Sequence, residues 1–105
     1  MELILSKKAL KFLKKLPVKE QNRIREKLFL LISLLERSGI IPFEELDIKS
    51  LEGEWQGFLR MRLGKTRIIF YVDDEEDILQ VYNIGFRGNI YKSTDIVNGI
   101  NLRLV

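Results

Sequence analysis

The chain has 105 residues, 46% of them hydrophobic, a length that supports one hydrophobic core and not two. We therefore expect a single domain spanning residues 1–105. Its 18 Lys+Arg and 15 Asp+Glu give a formal net charge of +3, and it contains neither cysteine nor histidine. Disulfides, thiol nucleophiles and imidazole acid–base catalysis are therefore excluded. No metal-loop or phosphate-loop pattern occurs, so we expect no metal and no cofactor.

The amino-terminal region does not have the pattern of a secretion signal or a membrane anchor. Five lysines between Lys7 and Lys15 interrupt any apolar segment there. The longest apolar run, Leu28 to Leu35, is much shorter than the roughly 20 residues that a membrane span requires. We expect a cytoplasmic protein with no membrane partner.

A short strand and a basic helix are predicted first. Met1 to Leu5 is the strand, and Ser6 can cap a helix from Lys7 to Leu16, which Pro17 ends. The polar face of this helix carries a lysine stripe, either a solvated face or the rim of a nucleic-acid-binding surface. The stripe consists of Lys7, Lys11, Lys14 and Lys15.

A second, longer helix is predicted from Pro17 to about Ser38, with Gly39 as its carboxyl-terminal stop. Its core stripe follows helical spacing and comprises Ile24, Leu28, Leu31, Ile32 and Leu35. Three more apolar residues, Phe29, Leu30 and Leu34, lie off that stripe. By default we expect them to pack against the first helix, and the alternative is a docking site for a partner protein.

Alternating apolar and polar residues then predict three strands, Trp55 to Leu63, Lys65 to Val72 and Ile78 to Ile84. The acidic connection 40–50 before them is left open, and the run 73–77 is interpreted as a solvated hairpin turn. Trp55 and Phe58 are assigned to packing. The predicted fold is α+β, with the amino-terminal strand and the helical hairpin packed on one face of a small, mostly antiparallel sheet.

Gly64 and Lys65 fix the register of the first hairpin. If they are its two central residues, Leu63 pairs with Thr66, and Arg62 with Arg67. One face then carries the apolar residues Leu59, Met61, Leu63, Ile68, Phe70 and Val72. The other carries Phe58, Arg60, Arg62, Arg67, Ile69 and Tyr71, and we expect this basic face to be exposed. Two arginines directly opposite each other repel, so an anion is expected between them, and a phosphate backbone is the obvious candidate.

These residues together resemble the RelE/ParE superfamily of bacterial and archaeal type II toxins. The resemblance runs from Met1 to about Lys92 and includes the order of the elements. It is carried by Leu51-Glu52-Gly53, by the strand 59–63, by the hairpin 64–70, and by Ile84-Gly85-Phe86-Arg87 with Ile90-Tyr91-Lys92.

Resemblance to the RelE branch implies a ribosome-dependent, metal-free mRNA endoribonuclease that inhibits translation. The implied partners are the ribosome, mRNA and a cognate antitoxin, with which the toxin would form a hetero-oligomer. In such a reaction the ribose 2′-hydroxyl attacks the adjacent phosphate. The 2′-hydroxyl must lose its proton, and the charge that develops on the phosphorus oxygens must be offset. The 5′-oxygen that leaves as its bond to phosphorus breaks must be protonated or otherwise stabilised.

The same resemblance, carried over position by position, implies a catalytic site made of Arg60, Arg62, Arg67, Arg87 and Tyr91. Arg62, Arg67 and Arg87 would bind phosphate and stabilise charge. Tyr91 would stack on a base or orient the 2′-hydroxyl. Lys65 at the hairpin turn would add an RNA contact beside the lysine stripe.

The general base is open, because Arg60 stands where members of the family commonly have a lysine. An arginine cannot lose its proton at neutral pH. Lys65, Glu52 or Glu54 could act instead, or catalysis could rest on positioning and electrostatics alone.

Two alternatives to RNA cleavage remain open. One is a ParE-like toxin that poisons DNA gyrase by binding, without chemistry of its own. The other is a non-enzymatic RNA-binding domain or a decayed toxin. The basic strand pair together with Arg87 and Tyr91 favours cleavage, because a gyrase binder has no need of them.

Overall fold

Two helices and five strands form the part of the protein that the computed structural model describes, residues 1–87. Tyr91 lies outside it. The elements are β1 (Glu2–Leu5), α1 (Lys7–Lys15), α2 (Val18–Ser38), β2 (Ile48–Ser50), a 3₁₀ turn (Gly53–Trp55), β3 (Leu59–Leu63), β4 (Thr66–Asp73) and β5 (Ile78–Phe86). The sheet order is β1-β5-β4-β3-β2, with β1 parallel to β5 and the other pairs antiparallel. The predicted α+β fold is confirmed.

Both helices begin and end where the capping residues predict. The Ser6 hydroxyl accepts a hydrogen bond from the amide of Ala9 at 3.0 Å and donates one to the carbonyl of Tyr82 at 2.5 Å. It therefore caps α1 and ties it to β5. Gly39 ends α2 in the left-handed conformation with φ of +72°, and its amide bonds the carbonyl of Leu35.

The main core lies between the helices and one face of the sheet. All five residues of the predicted α2 stripe are buried in it. On the sheet, Leu59, Met61, Ile68 and Phe70 are buried, with Leu63 and Val72 partly buried beside them. The predicted register is also confirmed, with Leu63 opposite Thr66 and Arg62 opposite Arg67.

The second face of the sheet is not the exposed basic surface that the sequence predicts. Trp55, Ile69 and Tyr82 form a small buried cluster there, which Leu51, Phe58 and Tyr71 cover. The rings of Trp55 and Tyr82 meet edge to face at 5.6 Å, and those of Phe58 and Tyr71 at 5.4 Å. Arg60 and Arg67 are themselves buried at 8% and 9% exposure. We call the six residues that form and cover the small cluster the aromatic cluster: Leu51, Trp55, Phe58, Ile69, Tyr71 and Tyr82.

A tight loop before β3 makes that cover possible. The strand begins at Leu59 and not at Trp55, because residues 53–55 form a 3₁₀ turn. A hydrogen bond from the Leu51 amide to the Phe58 carbonyl, at 3.0 Å, closes the loop around this turn. The assignment of Trp55 and Phe58 to packing holds within this turn. The undecided connection 40–50 contains a turn and then β2, an edge strand paired with β3. At the other end, β5 continues to Phe86, two residues beyond its predicted end at Ile84.

The outer face of α2 remains exposed. Phe29 is 53% and Leu30 42% exposed, whereas Leu34 is partly buried against the core. The default expectation that the off-stripe residues pack against the first helix is therefore wrong for Phe29 and Leu30. The physical reason is that α1 packs against β1 and β5. Within residues 1–87, no helix is long and apolar enough to cross a membrane.

Candidate nucleic-acid interface

Basic residues from three neighbouring strands meet at one end of the sheet, around the β3–β4 turn. Arg62 on β3 pairs with Arg67 on β4, and Arg67 pairs with Gly85 on β5. The Arg87 amide donates to the Lys65 carbonyl at 3.3 Å, which extends the same register one residue beyond the pair of Thr66 and Phe86. Because side chains alternate along a strand, Arg62, Arg67 and Arg87 are placed on the face away from the helices. We call these three residues and Lys65 the basic end.

Arg62 is the exposed guanidinium of the strand pair, with 53% of its side chain accessible. Its Nε donates to Oδ2 of Asp47 at 2.6 Å. This hydrogen bond, followed by the charges of Arg62, Arg60 and Lys49, lowers the pKa of Asp47 below its ordinary value of 3.8. The predicted repulsion between Arg62 and Arg67 is thus relieved within the protein, without an external anion.

Arg67 turns back onto the hairpin. Its Nη1 donates to the carbonyl of Gly64 at 2.8 Å and to that of Thr66 at 3.2 Å. Arg67 therefore stabilises the turn as well as placing a positive charge beneath it. On its β5 side the paired residue is Gly85, which is itself buried.

Arg87 is exposed at the end of β5. The preceding residue, Phe86, lies on the helix side, where its ring meets that of Phe12 edge to face at 5.2 Å. This contact fixes the end of β5 against α1. Lys65 is exposed at the turn itself.

Arg23 of α2 belongs to the same end of the molecule and was not predicted. A side-chain carbon placed on Gly64 would lie 3.7 Å from its Nη1. Its side chain is 53% exposed, and its nearest carboxylate, Glu20, is 3.9 Å away. The spacing of α2 predicts only that Arg23 lies off the core stripe. Its closeness to the hairpin follows from how α2 crosses the sheet.

Other predicted site residues are placed elsewhere. Arg60 lies on the same face as Arg62, buried beside the aromatic cluster and opposite Ile69. The α1 lysine stripe is exposed on the solvent side of the helix layer, with the sheet between it and Arg62. Tyr91 lies outside the described residues. Within residues 1–87, no group of acidic side chains is arranged to hold a metal ion.

A separate apolar surface surrounds the carboxyl-terminal half of α2. Phe29 and Leu30 are exposed on the helix, and Ile40 and Phe43, which follow its end, are 69% and 43% exposed. A depression of about 320 Å³ lies between Leu34 and the turn after α2, with Glu44 and Glu45 at its rim. The sequence predicts the first part of this surface, and Ile40 and Phe43 join it through the turn at Pro42. We call Phe29, Leu30, Leu34, Ile40 and Phe43 the α2 surface.

Comparison with known families identifies the class of protein. Residues 3–91 match the ParE toxin of type II toxin-antitoxin system, parDE. This span covers most of the chain, and the protein belongs to that family of type II toxins, within the RelE/ParE superfamily. Comparison with curated protein sequences gives no significant match.

Solved structures show the same fold. The RelBE2 toxin–antitoxin complex of Mycobacterium tuberculosis has a chain 23% identical, with a TM-score of 0.63, covering 82% of this chain and 96% of its own. The RelB–RelE antitoxin–toxin complex of Methanococcus jannaschii gives 27% identity, a TM-score of 0.59 and coverage of 85% and 95%. The RelE–RelB complex of Pyrococcus horikoshii has a chain 25% identical, with a TM-score of 0.60, and the match covers 84% of this chain and 96% of its own.

Proposed function

We propose that this toxin cleaves mRNA on the ribosome, as a metal-free endoribonuclease of the RelE kind. The observation that carries this proposal is the basic end, where Arg62, Arg67 and Arg87 from adjacent strands lie around one turn. Structural similarity to archaeal RelE proteins at 25% and 27% identity supports the same assignment.

The side chains at the basic end suit charge stabilisation. Exposed Arg62 and Arg87 can each present a planar donor fork to a phosphate oxygen. Arg67 lies beneath them, anchored to the turn carbonyls, and adds positive potential without being mobile. Arginines cannot take the proton of the 2′-hydroxyl, so this site acts mainly by holding the phosphate and stabilising its developing charge. Tyr91 remains the proposed group for stacking on a base.

The proposal is tested in a reconstituted translation reaction with a defined mRNA whose new 3′ ends are mapped. We expect cleavage in the presence of ribosomes and very little on naked RNA. Inhibition of DNA supercoiling with no new 3′ ends would contradict cleavage and support a gyrase poison.

Arg87→Ala is the sharpest variant, because Arg87 is exposed and its described bond is made by the backbone. We expect cleavage to fall about 100-fold or more, the effect of removing one transition-state donor. Arg67→Ala is less informative, because it also removes the hydrogen bonds to the Gly64 and Thr66 carbonyls of the turn. The matched control is Arg37→Ala, an exposed arginine at the far end of α2, about 20 Å along the helix from Arg23. Equal cleavage by both variants would contradict the site.

A gyrase-binding toxin is the second candidate, and the family match favours it, since the matched family is described as the ParE toxin. It predicts that Arg87→Ala keeps growth arrest and that supercoiling is inhibited. The third candidate is a protein that only binds RNA, or a decayed toxin. Neither its wild type nor its Arg87→Ala variant would arrest growth, and its RNA affinity would fall steeply as the salt concentration rises.

We further propose that a cognate antitoxin covers the α2 surface. The solved complexes named above pair such toxins with antitoxins, and exposed apolar residues on a helix suit a partner's amphipathic segment. Phe29→Asp with Leu30→Asp should weaken antitoxin binding at least tenfold and leave toxicity in place. Val18→Asp, at another exposed apolar residue of α2, is the control. Undiminished binding by the double variant would contradict this surface.

A further inference from the structure

Asp47, in the turn before β2, has an unusual backbone conformation. Its φ is +51°, in the left-handed region that residues other than glycine seldom adopt, although aspartate tolerates it better than most. The conformation directs two acceptors at a single partner, Arg62. The Asp47 carbonyl accepts the backbone amide of Arg62 at 3.1 Å, and its Oδ2 accepts the Nε–H at 2.6 Å.

Stability alone accounts poorly for this arrangement. A left-handed conformation is unfavourable for residues other than glycine, although less so for aspartate. An ion pair whose two side chains are 53% and 41% exposed is screened by solvent and stabilises the fold little. The pair therefore adds little net stability. What the pair does achieve is a fixed direction for one guanidinium.

The direction is set by which nitrogen Asp47 holds. A guanidinium has five N–H donors, and Asp47 engages the one on Nε. Within residues 1–87 the two terminal nitrogens of Arg62 make no hydrogen bond, so their four donors are available to a ligand. Holding Nε removes much of the rotational freedom of a long side chain before a ligand arrives, and this lowers the entropy lost on binding.

We propose that Asp47 is a positioning residue, which orients Arg62 so that its terminal nitrogens receive the scissile phosphate of RNA. This inference rests on the proposed function. The carboxylate is ionised throughout the neutral range, because the pKa of Asp47 is lowered by Arg62 and by the charges of Arg60 and Lys49. The ion pair between Asp47 and Arg62 is therefore lost only as the pH falls through that lowered pKa, far below the neutral pH at which translation takes place.

Two substitutions separate the carboxylate from the backbone. Asp47→Gly keeps the left-handed conformation and the carbonyl that accepts the Arg62 amide, and removes only the side chain. Asp47→Asn keeps a side-chain acceptor without the charge. Glu45→Ala, at an exposed carboxylate of the same turn, is the control for the change in net charge.

Cleavage in the translation reaction is the first measurement. We expect Asp47→Gly to lower the maximal cleavage rate about tenfold while affinity for programmed ribosomes stays the same or rises, since a negative charge is lost. Asp47→Asn should lie between this variant and the wild type, and Glu45→Ala should match the wild type. Cleavage by Asp47→Gly equal to or faster than that by Glu45→Ala would overturn the proposal, because the carboxylate would then be a bystander or a competitor of phosphate.

The second measurement is independent of cleavage. In ¹⁵N NMR spectra the Arg62 Nε–H should give a signal protected from exchange in the wild type and in Asp47→Asn, and should lose that protection in Asp47→Gly. Protection that persists in Asp47→Gly would overturn the positioning role. A wild-type protein that shows this signal but does not cleave mRNA would instead refute the proposed function and leave the orientation of Arg62 established.

Discussion

Gly64 is the residue on which the geometry of the basic end depends. Its φ is +60°, and Lys65 keeps the negative φ usual for L residues, a pattern that matches the glycine-first hairpin turn. Its carbonyl accepts Arg67 Nη1, so the same residue turns the chain and anchors a guanidinium. A distorted turn would therefore displace Arg62 and Arg67 together.

Gly64→Ala should lower the free energy of unfolding by about 1–2 kcal/mol. Space does not cause this loss, because the nearest atom to an added carbon is Arg23 Nη1 at 3.7 Å. The cost comes from the left-handed backbone. Urea unfolding measures it, and Lys65→Ala should change stability by less than about 0.5 kcal/mol. An equally small effect of Gly64→Ala would show that the turn relaxes to another type.

Residue-level patterns predicted the register but not the local partners. Period-two alternation and one glycine were enough to place Arg62 opposite Arg67. They could not show that Asp47, 15 residues earlier in the chain, pairs with Arg62, because that contact depends on a left-handed turn in a segment without periodicity. The roles of Arg62, Arg67, Arg87 and Tyr91 in chemistry stay predictions.

At the scale of elements, one serine joins α1 to the sheet. The Ser6 hydroxyl is buried and bonds the amide of Ala9 and the carbonyl of Tyr82. The sequence predicts that Ser6 caps the helix. It does not predict the hydrogen bond from the Ser6 hydroxyl to the Tyr82 carbonyl, because Tyr82 is 76 residues away along the chain.

Ser6→Ala should destabilise the protein by about 2 kcal/mol, because a helix cap is lost and a buried carbonyl loses its donor. The free energy of unfolding in urea is again the measurement. Ser33→Ala, on the exposed face of α2, is the matched control and should change stability by less than about 0.5 kcal/mol. Similar losses for both variants would contradict the role of Ser6.

The strand boundaries were less predictable than the helices. Ser6 caps the start of α1, Pro17 and Gly39 mark the two ends of α2, and the core stripe of α2 recurs with helical spacing, so the helix bounds follow from local chemistry. Residues 53–58 alternate less clearly, and Trp55 gains more by packing on Tyr82 than by extending β3. Arg60, opposite Ile69, is buried beside that fold-back, whereas Arg67 is buried at the hairpin, where it bonds the Gly64 and Thr66 carbonyls. The face is less basic than predicted because both arginines are buried.

For the whole molecule, β4 joins two hydrophobic clusters. Ile68 and Phe70 lie in the main core, and Ile69 between them lies in the aromatic cluster. Since neighbouring residues of one strand hold both clusters, neither can melt while the other stays folded. We therefore expect a single cooperative unfolding transition.

Trp55 tests this expectation, because it is the only tryptophan of the chain and belongs to the aromatic cluster. Its fluorescence and the far-UV circular dichroism of the helices should give the same urea midpoint. An earlier fluorescence midpoint would mean that the aromatic cluster opens alone, which the shared strand argues against.

The parallel pairing of β1 with β5 constrains the order of assembly during synthesis. Glu2 aligns with Ile78, and Leu5 with Val81, so the first strand has no neighbour until the last described strand has emerged. Pairing of β5 with β4 is also what brings Arg87 to the β3–β4 turn, so the two parts of the basic end come together only when β5 is in place. A nascent chain that stops before residue 78 therefore lacks a closed sheet and an assembled basic end, and both form only after β5 has been synthesised.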